Sequence, residues 1–241
     1  MRDNAIIQPV NRKGLFLAEP VLLVSAETDV RILINLFKLE SIEETSLMMS
    51  TVYDGLSQGQ PVSIIGPMIG APYATLVLEE AIAAGAKKFL FVGRCGSLSE
   101  QVGIGDCIVP DASYIDEGTS RCYPMDSEIA YPDLDFTNTI FKAMKQSDQN
   151  SHCGKIWCTD GLYQETPKKV KYYQDKDAIG VEMETSALFT VAGYRKVSIA
   201  AMLVVSDHLY SFSWHSGFGT KAYKSGLSKL LTSVKDIITS D

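Results

Sequence analysis

Short apolar runs rich in β-branched residues recur along this chain, at residues 21–24, 62–65, 89–92, 107–109 and 199–205. Runs of this length between turn signals read as strands buried on both faces, and their alternation with amphipathic stretches is the rhythm of an α/β fold. Over 73–84 apolar residues return at three- and four-residue spacing and Gly85 follows, so the segment reads as a helix with a glycine stop. Segments 183–194 and 221–238 read as helices as well. Connectors carrying Pro and Gly at 66–72, 124–132 and 215–219 mark loops. With no repeat, low-complexity tract or long charge run to divide it, the chain reads as one domain over residues 1–241.

Composition narrows the function classes. Apolar residues at 46% and charged residues at 21% are ordinary for a globular chain that builds its own core. A net charge of −7 repels polyanions, so neither nucleic acid nor an anionic membrane is expected as a partner. The five cysteines are odd in number and lack the paired short spacings of a zinc site or disulfide framework; buried free thiols are expected, and no metal. The opening MRDNAIIQPVNRKG has no apolar leader core, and no run reaches the ~18 apolar residues of a membrane span, which points to the cytoplasm.

In open α/β sheets ligands gather beyond the carboxyl ends of the strands. Four segments lie at such places: GPMIGAP after Ile65, GRCGSL after Val92, VEMETSAL after Ile179 and SDHL after Val205. Glu184 stands at the start of an apolar helix, where the dipole favours a carboxylate that can accept two sugar hydroxyls; the plain alternative is a helix-capping carboxylate. Asp207 follows a strand apolar enough to be fully buried, so its carboxyl should emerge with limited solvent. From there it can protonate a ring nitrogen of a purine as the glycosidic bond breaks through an oxocarbenium-like state. A turn residue or helix cap is the alternative.

Taken together and in this order, the four segments resemble the nucleoside phosphorylase family, which includes purine nucleoside phosphorylases, uridine phosphorylases and related nucleosidases. Gly66 to Pro72 resembles the family's glycine loop, which brings Gly70 to the phosphate. Phe91 to Ser97 resembles its strand-end phosphate and ribose loop, with Phe91, Gly93 and Arg94. Glu182, Met183 and Glu184 resemble its ribose-binding signature. Ser206 and Asp207 resemble the strand end that carries the catalytic aspartate, and Tyr163 matches an aromatic position that packs on the base. The resemblance implies a single-domain α/β fold with a mixed central sheet flanked by helices. It also implies a homo-oligomer, a dimer or a hexamer built from dimers, and a reaction without cofactor in which inorganic phosphate is co-substrate.

The pattern breaks where an anion should bind. After the first strand the chain reads Ser25-Ala-Glu-Thr-Asp-Val30 with Arg31 displaced by one, no arginine occurs from 32 to 93, and the place of a small hydroxyl residue is taken by Arg94. Either Arg94 rebuilds the anion site with its bidentate fork, or the phosphate site is lost and water attacks, as in a nucleosidase. A non-catalytic nucleoside-binding protein of the same fold is a third class. The Asp207 context, together with the poor match of Gln164-Glu-Thr-Pro167 to a uracil-reading pattern, favours a purine.

Overall fold

A computed structural model of the protein describes residues 5–9, 15–124 and 126–239, so most of the N-terminal stretch read for a leader lies outside the described residues. The first apolar run forms β1 (Val21–Val24), buried at every position. It leads into α1 (Glu27–Phe37), then the hairpin β2 (Glu40–Leu47) and β3 (Ser50–Ser57), and β4 (Gln60–Gly66). Helix α2 (Ala71–Ala83), β5 (Lys88–Ser97), β6 (Cys107–Asp116) and the short β7 (Ile129–Ala130) follow. The second half runs α3 (Leu134–Gln146), β8 (Ser151–Thr159), α4 (Pro167–Gln174), β9 (Ala178–Glu182), α5 (Thr185–Arg195), β10 (Ser198–His208), β11 (His215–Ser216) and α6 (Lys221–Thr239).

All strands join one mixed sheet in the order β11-β10-β6-β8-β9-β5-β1-β4-β3-β2, with β7 on β6. Because β10 also pairs with β5 in parallel, the path from β10 through β6, β8 and β9 to β5 closes on itself, and the remaining strands extend from β5 as an open wing. Alternation along the buried strands sorts their side chains onto two faces. Val21, Leu23, Phe89, Phe91, Leu203 and Val205 pack under α2 and α5. Leu22, Val24, Leu90, Val92, Met202 and Val204 pack under α1, α3 and α6. The result is the single-domain α/β arrangement expected, with helices on both faces of a mixed sheet.

Several boundaries differ from the sequence reading. GRCGSL and SDHL are strand for most of their length, because β5 and β10 stay paired through Asp207 to Gly96 and His208 to Ser97. Helix α5 starts at Thr185, two residues later than expected. The β2–β3 hairpin escaped notice because β2 is polar and nearly all exposed, and its ladder is held by pairing with β3. Short strands interrupt two stretches read as loops, at β7 and β11. Of the five free thiols, Cys95, Cys107 and Cys158 are buried as expected, but Cys122 is exposed and Cys153 half-buried. Among the described residues no helix is long and apolar enough to cross a membrane.

Candidate active site

Strand β9 delivers Glu182 to the mouth of α5, where four backbone N–H groups lack helical partners. Its carboxylate accepts the N–H groups of Glu184 at 2.7 Å and Thr185 at 2.8 Å and the Thr185 hydroxyl at 2.5 Å. The capping role considered for Glu184 therefore belongs to Glu182. Glu184 makes no cap bond; its Oε1 accepts the Gly70 N–H at 2.5 Å, tying α5 to the start of α2. Gly70 can present that N–H because it sits at φ 80°, a conformation that other residues resist. Its N–H is thus given to the Glu184 carboxyl, where the resemblance implied a phosphate. Both carboxyls are buried, and burial pushes both up from their ordinary range. Glu184 is raised to about 8, with the neighbouring Glu182 charge adding to burial and the Gly70 bond opposing it.

The carboxyl end of β10 carries the second arrangement. Between Val205 and Asp207 the β5–β10 register shifts, so Ser206 is an extra residue that breaks the side-chain alternation just before Asp207. Bulges of this kind re-aim a side chain at the edge of a site. The Ser206 hydroxyl donates to Asp207 Oδ1 at 2.7 Å and the Trp214 indole donates to Oδ2 at 3.0 Å. Gly96, the partner of Asp207 on β5, leaves the room: a Cβ there would stand 3.1 Å from Asp207 Oδ2 and 2.6 Å from Leu209 Cδ1. Asp207 is half-buried, so the dry strand end expected of it is only partly dry.

One cavity of about 610 Å³ joins the two arrangements, with Glu182, Met183 and Glu184 on its wall together with Ser206, Asp207 and Arg94. Strand alternation puts Arg94 on the face of Val92 and α1, and there it meets Asp29. The Arg94 guanidinium donates to Asp29 Oδ1 at 2.7 Å and to the Thr28 hydroxyl at 3.1 Å, and the Asp29 side chain is 2% exposed. Arg94 Nε stays buried with no hydrogen-bond partner among the described residues, as does the hydroxyl of Tyr223. Tyr223 lies close enough to feel the charges of Arg94, Asp29 and Asp207.

Other expected residues are placed differently. Phe91 is a core residue with no exposed surface, because its side chain points under α2 and α5 and not into the cavity. Gly93 is also off the cavity wall; its role is space, since a Cβ would stand 2.9 Å from the Phe91 ring. Tyr163 is at the cavity lip but 94% exposed. The next arginine along the chain after Arg94, Arg121, lines a separate surface groove with Lys168 and Lys169. Leu162, Glu165, Trp214 and Phe218 also line the cavity, and the sequence reading had given none of them a role of its own. Glu165 carries a signal only in three dimensions, because burial and the charge of Asp207 raise its carboxyl to about 7. Among the described residues no group of three or more His, Cys, Asp or Glu side chains is placed to hold a metal ion.

Comparison with known proteins follows the same geometry. The sequence profile of the phosphorylase superfamily matches residues 21–229. A guanosine phosphorylase of Halorubrum lacusprofundi is 29% identical over 162 residues, which cover 67% of this chain and 66% of that protein. A purine nucleoside phosphorylase, DeoD-type 1, of Shewanella oneidensis is 26% identical over 174 residues, 71% of this chain and 74% of that one. A crystal structure of uridine phosphorylase from Vibrio fischeri ES114 superposes with a TM-score of 0.81 over 93% of both chains at 24% identity, a likeness of fold.

Proposed function

The chain belongs to the phosphorylase superfamily, and from that footing we propose that it cleaves the N-glycosidic bond of a purine nucleoside with inorganic phosphate, releasing free base and sugar 1-phosphate. The observation that carries this reading is the meeting of Asp207 and Glu184, brought from different elements, on one cavity wall. In this reading Glu184 accepts the sugar hydroxyls, and Met183 packs on the sugar's apolar face. Asp207 gives a proton to the base as the bond from C1′ to the ring nitrogen breaks and its electron pair moves onto the base. Ser206 holds that carboxyl in place. Phosphate oxygen forms the new bond to C1′, and the proton it sheds returns Asp207 to its starting state. The guanosine and purine nucleoside specificities of the curated relatives support the choice of a purine. Unspent donors at Arg94 Nε, on the cavity wall, and at the hydroxyl of the nearby core residue Tyr223 support an anion at that end.

One observation favours a second reading, hydrolysis. Arg94 is the sole cation among the residues lining the cavity, four carboxyls share that wall, and the buried Asp29 already neutralises it. A dianion is poorly received where charge is cancelled from within. The deciding experiment incubates the protein with a nucleoside panel with and without phosphate and follows free base, free sugar and sugar 1-phosphate. Sugar 1-phosphate formed only with phosphate supports phosphorolysis; free sugar formed equally well without it establishes hydrolysis; no release of base leaves a binding protein. We place the protein in the cytoplasm, in keeping with its free thiols. We also propose a homo-oligomer, a dimer or a hexamer built from dimers, in keeping with the exposed side chains of Phe16, Met49 and Ile69.

A further inference from the structure

Past Asp207 the chain turns back on itself. It runs from His208 to Trp214 and returns as β11, with His208 opposite His215 and Asp207 opposite Ser216. A two-residue strand holds little by its ladder alone, and the turn before it sets Phe212 at φ 61°, a left-handed conformation that a bulky side chain resists. Besides the Gly217 N–H given to the Ser206 carbonyl at 2.9 Å, the hairpin is clasped by a stack of rings. The His208 ring centre lies 4.6 Å from that of His215 at 27° and 4.6 Å from that of Tyr210 at 23°. Trp214, next to His215, is thereby set on the cavity wall with its indole N–H on Asp207 Oδ2 at 3.0 Å.

We propose that this hairpin is a pH-operated latch: neutral His208 and His215 hold the Trp214 indole on Asp207, and protonation of the stacked pair parts the hairpin and uncovers that carboxyl. Two costs meet in the charged, closed form. An imidazolium carries N–H groups at both ring nitrogens, and Nδ1 of His208 is buried with no hydrogen-bond partner among the described residues, so its N–H would find no acceptor there. The neutral ring escapes this by leaving Nδ1 bare. Two imidazolium rings in contact also repel. Burial and the neighbouring His215 accordingly lower His208 below its ordinary value of 6.5, against the pull of the Asp207 carboxylate. The other groups that face the pair, the Tyr210 ring and Ser97 opposite His208 on β5, carry no charge at that pH. The open hairpin thus takes up protons more readily than the closed one, and lowering the pH favours it.

The test is read on the protein without ligand and so stands apart from the nucleoside reaction. Deuterium uptake by residues 212–217, corrected for the intrinsic rate of exchange, is followed by mass spectrometry from about pH 8 to about pH 5, the span over which a histidine charges. The chain has two tryptophans, so the Trp214 indole N–H is one of two such signals in a nitrogen-correlated proton spectrum, assigned by its loss in Trp214→Phe. In the wild type the corrected uptake should rise by about fivefold or more toward the acid end, the factor that two like charges in contact are worth at the weak limit. The indole signal should lose its bonded position over the same range, while uptake by residues 199–205 stays flat. His215→Phe keeps in the stack a ring that cannot charge and that attracts an imidazolium, so the rise should vanish; His208→Phe should act alike. Thermal melting at about pH 8 checks the fold, and His215, being exposed, decides if the His208 variant does not fold. A wild type without the rise overturns the latch, and so does a rise that persists in His215→Phe, which would mean that Asp207 lets go of the indole by its own titration. A protein that cleaves no nucleoside but shows the His215-dependent rise keeps the latch and loses only the catalytic reading.

Discussion

The two ends of the cavity are built on opposite plans. At the β9–α5 and β10 end, carboxylates are fixed by donors of the protein itself: the α5 N-terminus for Glu182, the Gly70 N–H for Glu184, and the side chains of Ser206 and Trp214 for Asp207. That end is furnished with acceptors, suited to hydroxyls and ring N–H groups. At the β5–α1 end Arg94, the one cation among the described residues lining the cavity, is tied to a buried aspartate, while its Nε and the nearby Tyr223 hydroxyl have no partner among the described residues. Acceptors are abundant at one end, and spare donors sit beside a cancelled charge at the other. Affinity for a neutral polar ligand is therefore written into the first end, and affinity for an anion depends on how far Asp29 offsets Arg94.

Substitutions can sharpen or break this contrast. The largest effect is expected at Asp207: Asp207→Asn should lower the cleavage rate by ~10²–10⁴, the range for a positioned acid, with substrate affinity little changed. Steady-state kinetics on the best nucleoside checks it, and unchanged turnover would remove Asp207 from the reaction. Next is Glu184→Gln. It should weaken a riboside by roughly tenfold to a hundredfold, as for the loss of a charged hydrogen bond, while an analogue lacking the contacted hydroxyl loses little. Equal losses on the two would mean that the carboxyl serves only to hold Gly70.

At the opposite end, Arg94→Ala should raise the phosphate concentration needed for half-maximal rate by about tenfold. Tyr223→Phe, which removes one neutral hydroxyl, should raise it by only about two- to fivefold. If neither changes the phosphate requirement, the contrast between the ends is structural alone.

The smallest effect concerns stability. The Glu165 carboxyl is raised from 4.5 to about 7 in the folded protein, so between these values the folded state holds more protons than the unfolded one. Its contribution is complete below about 4.5 and is lost as pH rises toward 7. Glu165→Gln removes that loss, so the Tm of the variant relative to the wild type should climb by several degrees across this interval. A pH-independent difference would show that Glu165 is solvated like any surface carboxylate.

Much of the architecture was legible in the chain. Buried parallel strands such as β1 and β10 betray themselves as continuous apolar runs, and α2 as apolar spacing that ends at Gly85. The polar strand β2 gave no such signal, because pairing with the neighbouring β3 holds it in place, whereas α1 and α3 carry an apolar face at helical spacing and α4 a Thr-Pro start that the reading passed over.

For the site, the sequence by itself determined which segments meet the cavity. Tertiary structure decided what each residue does there. It made Glu182 the helix cap and left Glu184 free to face the cavity, a choice set by which carboxylate reaches the exposed N–H groups of α5. It sent Phe91 into the core and Arg94 to Asp29, because neighbouring side chains on a strand point to opposite faces and β5 is covered on both. It re-aimed Asp207 through one extra residue in β10, and it brought Glu165 and Trp214 to the cavity from separate segments. Burial and partner choice depend on what packs across from a residue, and no spacing along the chain encodes that.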